Sequence, residues 1–316
     1  MRNTPAALIV SAVILVVAHG PGIGLQGRQT YLFAGPPRCD AAGNLFFIPG
    51  QIREGDVQRL NEIVRISADG KRTITDVTTL MGAKMADLST NGITTDPSGR
   101  LYVLTRLGTG ESSRQQILSI SDSLDPITVD PAAIAVDQIA AFASGDLLLV
   151  GDAPLTGKLR MVVQPSDRGR LREVALPGSI SESRSEEAGV ERSRILMASS
   201  ATGMDEIFVV RSRSTRGYTI ASSGQVTGEF AVPPPPLPDV SLVDIRVSGQ
   251  RLAAIFRQDG RGGNWVVAYD FLTGTNARTY GPVPNLITCY WSSPRDRFTL
   301  LSTLKGEWKL VAAEAL

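Results

Sequence analysis

One phrase constrains this chain more than any other: Asn91-Gly-Ile-Thr-Thr-Asp-Pro-Ser-Gly-Arg-Leu-Tyr-Val-Leu-Thr105. It reads as a short strand (Ile93 to Thr95), a turn (Asp96-Pro97-Ser98-Gly99) and a second strand (Arg100 to Thr105). Asp at the head of the turn can bond its own backbone, Pro presets φ, and Gly accepts a positive φ. The flanking β-branched and aromatic residues suit a pleated, half-buried surface. The phrase recurs as Gly43-Asn-Leu-Phe-Phe47 and Gly145-Asp-Leu-Leu-Leu149. Weaker copies follow at Asp205-Glu-Ile-Phe-Val209, Gln250-Arg-Leu-Ala-Ala254 and Asp296-Arg-Phe-Thr-Leu300.

Copies recur at intervals of roughly 45 to 60 residues, the period of four-stranded propeller blades. Further strand-like runs fill the gaps, such as Glu62 to Ser67, Gln116 to Ile120 and Trp265 to Tyr269. No long stretch has helical periodicity. The expected fold is therefore all-β, a six-bladed β-propeller of four-stranded blades. The interval between the third and fourth copies is the longest and leaves room for a seventh unit. The final unit offers three strands (Leu286 to Trp291, Asp296 to Thr303, Trp308 to Ala313), and Gln29 to Phe33 is strand-like and unclaimed. The expectation is that this N-terminal strand completes the last blade and closes the ring, hiding a sheet edge. The proline run Ala231 to Pro238 falls between units and reads as a stiff connector.

The N-terminus reads as an address. Arg2 precedes the apolar run Ala6 to Ala18, which is shorter than the roughly 20 residues of a membrane span and fits a secretory signal. The expected division is a signal peptide over residues 1–24, with an uncertain cleavage point, and a single domain over 25–316. Export to the periplasm or beyond follows, with no membrane span after signal removal; a monomer is expected. The formal net charge of +1 leaves no basic excess to neutralise phosphates, which argues against nucleic acid as a partner. The charged stretch Ser181 to Arg194 mixes both signs and reads as a solvated loop.

The only His is His19, within or beside the signal. The mature domain therefore has no His general base, no His metal ligand and no Ser-His-Asp arrangement. Two cysteines, Cys39 and Cys289, have no zinc-motif spacing. They fall in the inner strands of the first and last blades, which are neighbours only if the ring closes. A disulfide there would seal a very long loop, worth on the order of 4 to 5 kcal/mol by chain entropy. The other reading is two buried free thiols.

The phrase at Asn91 resembles the repeat of NHL-type propellers and of the SMP-30/gluconolactonase-like six-bladed propellers. The likeness is clear for that unit, fair for Cys39 to Phe47 and Asp137 to Val150, and faint for the later three. The gluconolactonase-like enzymes hold a divalent cation at the channel mouth with a Glu and Asn/Asp residues from the starts of inner strands. The resemblance implies Asn91 and Asp137 as metal ligands here, with calcium or another divalent cation as the cofactor. The family's Glu has no counterpart, since this chain reads Phe33-Ala-Gly-Pro-Pro37 at that place; Asp152 and Asp244 lie in nearby loops. Asn91 and Asp137 can equally make local turn bonds. Two functions follow: a non-catalytic module binding a protein or small molecule at one face, with no cofactor and no catalytic residue, or a divalent-cation-dependent lactone hydrolase.

Overall fold

In a computed structural model of the chain, residues 31–33, 36–53, 56–84, 87–108, 113–121, 126–132, 134–152, 159–177, 194–200, 204–258, 263–283, 286–292, 295–304 and 307–314 are described. The chain opens with β1 (Tyr31–Phe33), β2 (Arg38–Cys39), β3 (Leu45–Phe47), β4 (Pro49–Arg53), β5 (Asp56–Arg59), β6 (Glu62–Ile66) and β7 (Arg72–Asp76). A short helix, α1 (Val77–Met81), follows, capped by Asp76, whose side chain accepts from the Thr78 N–H, and ended by Gly82 in the left-handed region. The first blade is the antiparallel sheet β2-β3-β6-β7.

Three blades in simple meander order come next. The second is β8 (Leu88–Thr95), β9 (Leu101–Leu107), β10 (Arg114–Ile120) and β11 (Pro126–Pro131). The third is β12 (Gln138–Ala141), β13 (Leu147–Asp152), β14 (Leu159–Gln164) and β15 (Arg172–Glu173). The fourth is β16 (Ile195–Ser199), β17 (Glu206–Arg211), β18 (Arg216–Ala221) and β19 (Val226–Ala231). After the proline-rich connector come β20 (Val240–Ser248), β21 (Arg251–Gln258), β22 (Asn264–Asp270) and β23 (Arg278–Val283), the fifth four-stranded blade. A three-stranded sheet ends the chain: β24 (Leu286–Trp291), β25 (Arg297–Leu304) and β26 (Glu307–Glu314).

Each of the six repeated phrases falls on the second strand of one sheet, at β3, β9, β13, β17, β21 and β25. The turn before that strand has the same bonding in the first two blades. Asp96 N–H donates to the Arg100 carbonyl (3.1 Å), Gly99 N–H to the Asp96 carbonyl (3.1 Å), and Arg100 N–H to the Asp96 carboxylate (3.0 Å). Asp40, Gly43 and Asn44 repeat the pattern. Gly43 and Gly99 stand at φ +84° and +86°, which a side chain would strain.

The first strands contact one another in a closed circuit, β2 to β8 to β12 to β16 to β20 to β24 and back to β2. A parallel bridge between Ser200 and Val247 shows that neighbouring inner strands run the same way. Each of the six gaps between successive sheets holds its own apolar cluster. Second strands are buried on both faces: Phe46 packs toward the second blade, whereas Leu45 and Phe47 pack toward the last. A strand covered twice needs an unbroken apolar run, and these runs supply it. The architecture is a β-propeller, with five four-stranded blades and a three-stranded sixth sheet among the described residues.

One expectation is corrected. The N-terminal strand does not complete the last blade. Tyr31, Leu32 and Phe33 pair with Gln51, Gly50 and Pro49 of β4, and β4 pairs with β5, so a small sheet β1-β4-β5 stands apart from the blades. The hairpin of β4 and β5, inserted between the second and third strands of the first blade, offers its own open edge. Strand propensity says that Tyr31–Phe33 will pair but not with which edge. Gln29 and Thr30 lie outside the described residues, as do the expected signal (residues 1–24) and most of the charged stretch 181–194.

The ring is closed instead by Cys39 and Cys289, which form a disulfide (Cα–Cα 5.6 Å) across 250 residues of sequence. Beside it, Leu45, Phe47, Val64, Ile66 and Leu301 pack the seam.

Candidate functional site

Inner strands carry side chains into a central channel. Their final residues enclose a cavity of about 60 Å³ bordered by Arg38, Thr94, Thr95, Met197, Ser199, Arg246 and Trp291, with the Cys39–Cys289 bridge in its wall. That exceeds the roughly 10–15 Å³ a cavity needs to hold a water.

Two arginines dominate this space. Arg246 sits near the end of β20, in the run Asp244-Ile-Arg-Val247, and is 8% exposed. Its donors are committed: Nε to the Thr288 carbonyl (2.7 Å), Nη1 to the Ile245 carbonyl (3.0 Å) and Nη2 to the Pro37 carbonyl (3.1 Å). The Asp244 carboxylate lies 2.7 Å from Nη2 and neutralises it. Arg246 thus ties the fifth blade to the sixth and to the residue before Arg38.

Arg38 is held far less completely. Nη1 donates to the Met197 carbonyl (3.3 Å), reaching from the first blade to the fourth on the opposite side of the ring. Nε is shielded from solvent and has no partner among the described residues. Burial, with the like charge of Arg246 and against the attraction of Asp244, pulls the guanidinium down to about 10. It remains cationic at neutral pH, with no carboxylate of its own. Asp40, also at the cavity wall, is engaged by the backbone N–H and Nδ2 of Asn44.

The residues singled out from sequence lie at the other end of the inner strands. Asn91 occupies a bulge in β8, half-buried. Asp137 is exposed just before β12, where its N–H donates to the Val150 carbonyl (2.8 Å). Because β8 and β12 are adjacent inner strands, both stand near one mouth of the channel. Calcium takes six to eight oxygens, usually with several carboxylates among them. Among the described residues no group of three His, Cys, Asp or Glu is gathered. Asp244 serves Arg246 rather than this mouth.

Arg38 and Arg246 went unread in the sequence. Arg246 carried a visible signal, a charge flanked by Ile and Val inside a strand, two residues from an Asp. Residues i and i+2 share a strand face, so an ion pair pointing into the channel was readable there. Arg38 had no such mark, since its strand is two residues long.

No protein family and no curated protein matches the chain by sequence. Solved structures do. Regucalcin from Agrobacterium tumefaciens, described as a calcium-binding protein, superposes over 97% of this chain and 95% of its own at 12% identity and a TM-score of 0.51. An acylaminoacyl peptidase, solved with a chloromethyl ketone, matches 89% of this chain with 51% of its own, at 14% identity and a TM-score of 0.50. A six-bladed fungal lectin from Aleuria aurantia covers 81% and 78% at 14% identity, with a TM-score of 0.46. Identities this low establish the shared propeller fold and nothing more specific.

Proposed function

We propose that this chain is an exported β-propeller that binds a small molecule in its central channel, without catalysing a reaction on it. The observation that carries the reading is the lined channel cavity, where the half-buried Arg38 leaves its Nε without a partner among the described residues. A guanidinium that uses one of its five donors keeps hydrogen-bonding capacity for a partner from solution. The rigid ring presents that charge and a bordering Trp291 in fixed positions, as binding sites require. Export is supported by the disulfide, which persists in oxidising compartments, and by the apolar N-terminal run. Among the described residues no helix is long and apolar enough to cross a membrane.

A second reading, a divalent-cation-dependent hydrolase of the lactonase type, would rest on Asn91 and Asp137 standing at one end of neighbouring inner strands.

Ligand-linked melting separates the two. Purified protein is heated with neutral sugars, amines, carboxylates and millimolar calcium, beside Ser199→Leu, which fills the channel, and Asp137→Ala. Channel binding requires a compound class that raises Tm in the wild type and not in Ser199→Leu. A rise with calcium that Asp137→Ala abolishes would favour the hydrolase. A ring whose melting answers to no small molecule is not a small-molecule receptor.

A further inference from the structure

We propose that the Cys39–Cys289 bridge is a reversible thiol-exchange site, opened by a low-molecular-weight thiol entering the channel and re-formed in a ring that Arg246 keeps closed. Both cysteines border the channel cavity, so the bridge lies where a small solute can reach it. Cys289 is 1% exposed and Cys39 half-buried, which makes the Cys39 sulfur the one open to attack.

A bridge between residues 250 apart in sequence re-forms readily only if its two strands stay together once it opens. Arg246 holds them. Its Nε donates to the carbonyl of Thr288, the neighbour of Cys289 (2.7 Å), and its Nη2 to the carbonyl of Pro37, two residues before Cys39 (3.1 Å). One guanidinium from β20 thus grips both cysteine-bearing strands, and Asp244 anchors it at 2.7 Å. From the second blade, the Thr95 hydroxyl donates to the Cys39 carbonyl (3.1 Å). Breaking these bonds would leave shielded donors unpaired, so they outlast the S–S bond. Arg246 is a positioning residue for the exchange.

The chemistry balances in two steps. A thiolate attacks Cys39 Sγ and forms a mixed disulfide, while Cys289 leaves as a thiolate and takes up a proton. A second thiolate attacks the mixed disulfide, releasing the oxidised thiol dimer and leaving Cys39 as a thiol after protonation. Two small thiols are oxidised and one bridge is reduced. The oxidised dimer drives the reverse, and thiols held side by side close intramolecularly.

The probe is millimolar reduced glutathione, applied without denaturant to the oxidised full-length mature protein, with acid-quenched samples read by peptide mass mapping. Glutathione should appear on Cys39, both free thiols should follow, and the circular dichroism should stay native. Ser199→Leu, which fills the channel, should slow opening about tenfold. Oxidised glutathione should then restore the bridge, about tenfold more slowly in Arg246→Lys, which keeps the charge opposite Asp244 but loses the fork. Should that variant fail to fold, reclosure of the native reduced wild type is compared with that of the reduced chain in urea, and the native protein should close faster. Opening no faster than global unfolding, measured by amide exchange, would overturn the proposal. So would glutathione appearing first on Cys289, or an unchanged rate in Ser199→Leu. Equal reclosure in Arg246→Lys, or in urea, would overturn the role given to Arg246.

Discussion

Buried polar side chains in this ring show what a matched group looks like, and so what Arg38 lacks. Asp296 has a side chain 1% exposed and takes four bonds: two from Arg251 and one each from the hydroxyls of Tyr280 and Tyr290, both 2.8 Å. Burial alone would raise this carboxyl, but those donors outweigh it and hold it below the ordinary aspartate value. The same environment acts on the phenols. Burial, reinforced by Asp296, pushes Tyr280 up to about 12 and moves Tyr290 upward further. Burial and then the Asp96 charge push Tyr102 up to about 12, and burial raises Tyr269. An unfolded tyrosine loses its proton near pH 10. Between there and about 12 the native state holds more protons than the unfolded chain, so stability falls as pH rises. Arg38 has the opposite sign, because its native pKa of about 10 lies under the free value of 12.5. Four phenols outweigh one guanidinium. Tm should therefore decline steeply from pH 10 to pH 12, and Tyr280→Phe should flatten part of that slope. A level or rising Tm across this window, followed by circular dichroism, would contradict the assignment.

At the scale of strands, what could be read was what the blade repeats. Leu101-Tyr-Val-Leu104 is buried throughout, and an apolar run behind an Asp-Gly turn has few other uses. The later copies lost the turn chemistry but kept the run, as in Ile207-Phe-Val-Val210. What could not be read was the departure from repetition. Pro49–Arg59 carries Gly, Gln and Arg residues that match no blade strand, yet it folds into the hairpin that captures Tyr31–Phe33. Pairing between edges is decided by proximity in three dimensions, which no local pattern encodes. The channel site was hidden for a related reason. Its residues come one to three at a time from six strands far apart in sequence, and only closure of the ring gathers them. Close backbone approaches are equally silent. A Cβ on Gly151 in β13 would lie 1.8 Å from the Ala135 carbonyl oxygen, whereas one on Gly92 in β8 would meet nothing nearer than 3.9 Å. Backbone cannot rotate aside as a side chain can. Gly151→Ala should therefore cost about 2 kcal/mol, while Gly92→Ala stays within about 0.5 kcal/mol of the wild type. Urea midpoints of the two variants measure the contrast, and equal midpoints would refute it.

For the molecule as a whole, the question is what keeps a circle of sheets from opening. A propeller whose last blade borrows a strand from the other terminus closes itself by a ladder of backbone bonds. In this chain the first described strand is occupied elsewhere, and among the described residues the sixth sheet is built from β24, β25 and β26. Closure between the last sheet and the first therefore falls to the apolar seam, to Arg246 reaching Pro37, and to the covalent bridge of Cys39 with Cys289. With 250 residues between its ends, the bridge removes a large share of the unfolded chain's freedom, on the order of 5 kcal/mol by the loop-entropy relation. The double variant Cys39→Ser/Cys289→Ser should melt on the order of 10 °C lower than the wild type at equal pH and salt. A drop of that kind could arise anywhere, so location decides the matter. If the bridge is the clasp, amide exchange in the variant should accelerate first in β2 and in β24 to β26, with the blades across the ring, β12 to β19, still protected. Uniform acceleration would mean that the ring unfolds as one unit and that its seam is no weaker than its other five gaps. The channel depends on the answer, because Arg38 stands one residue from the bridge. A loosened seam would let its guanidinium swing toward solvent and should weaken binding in the channel together with the local protection.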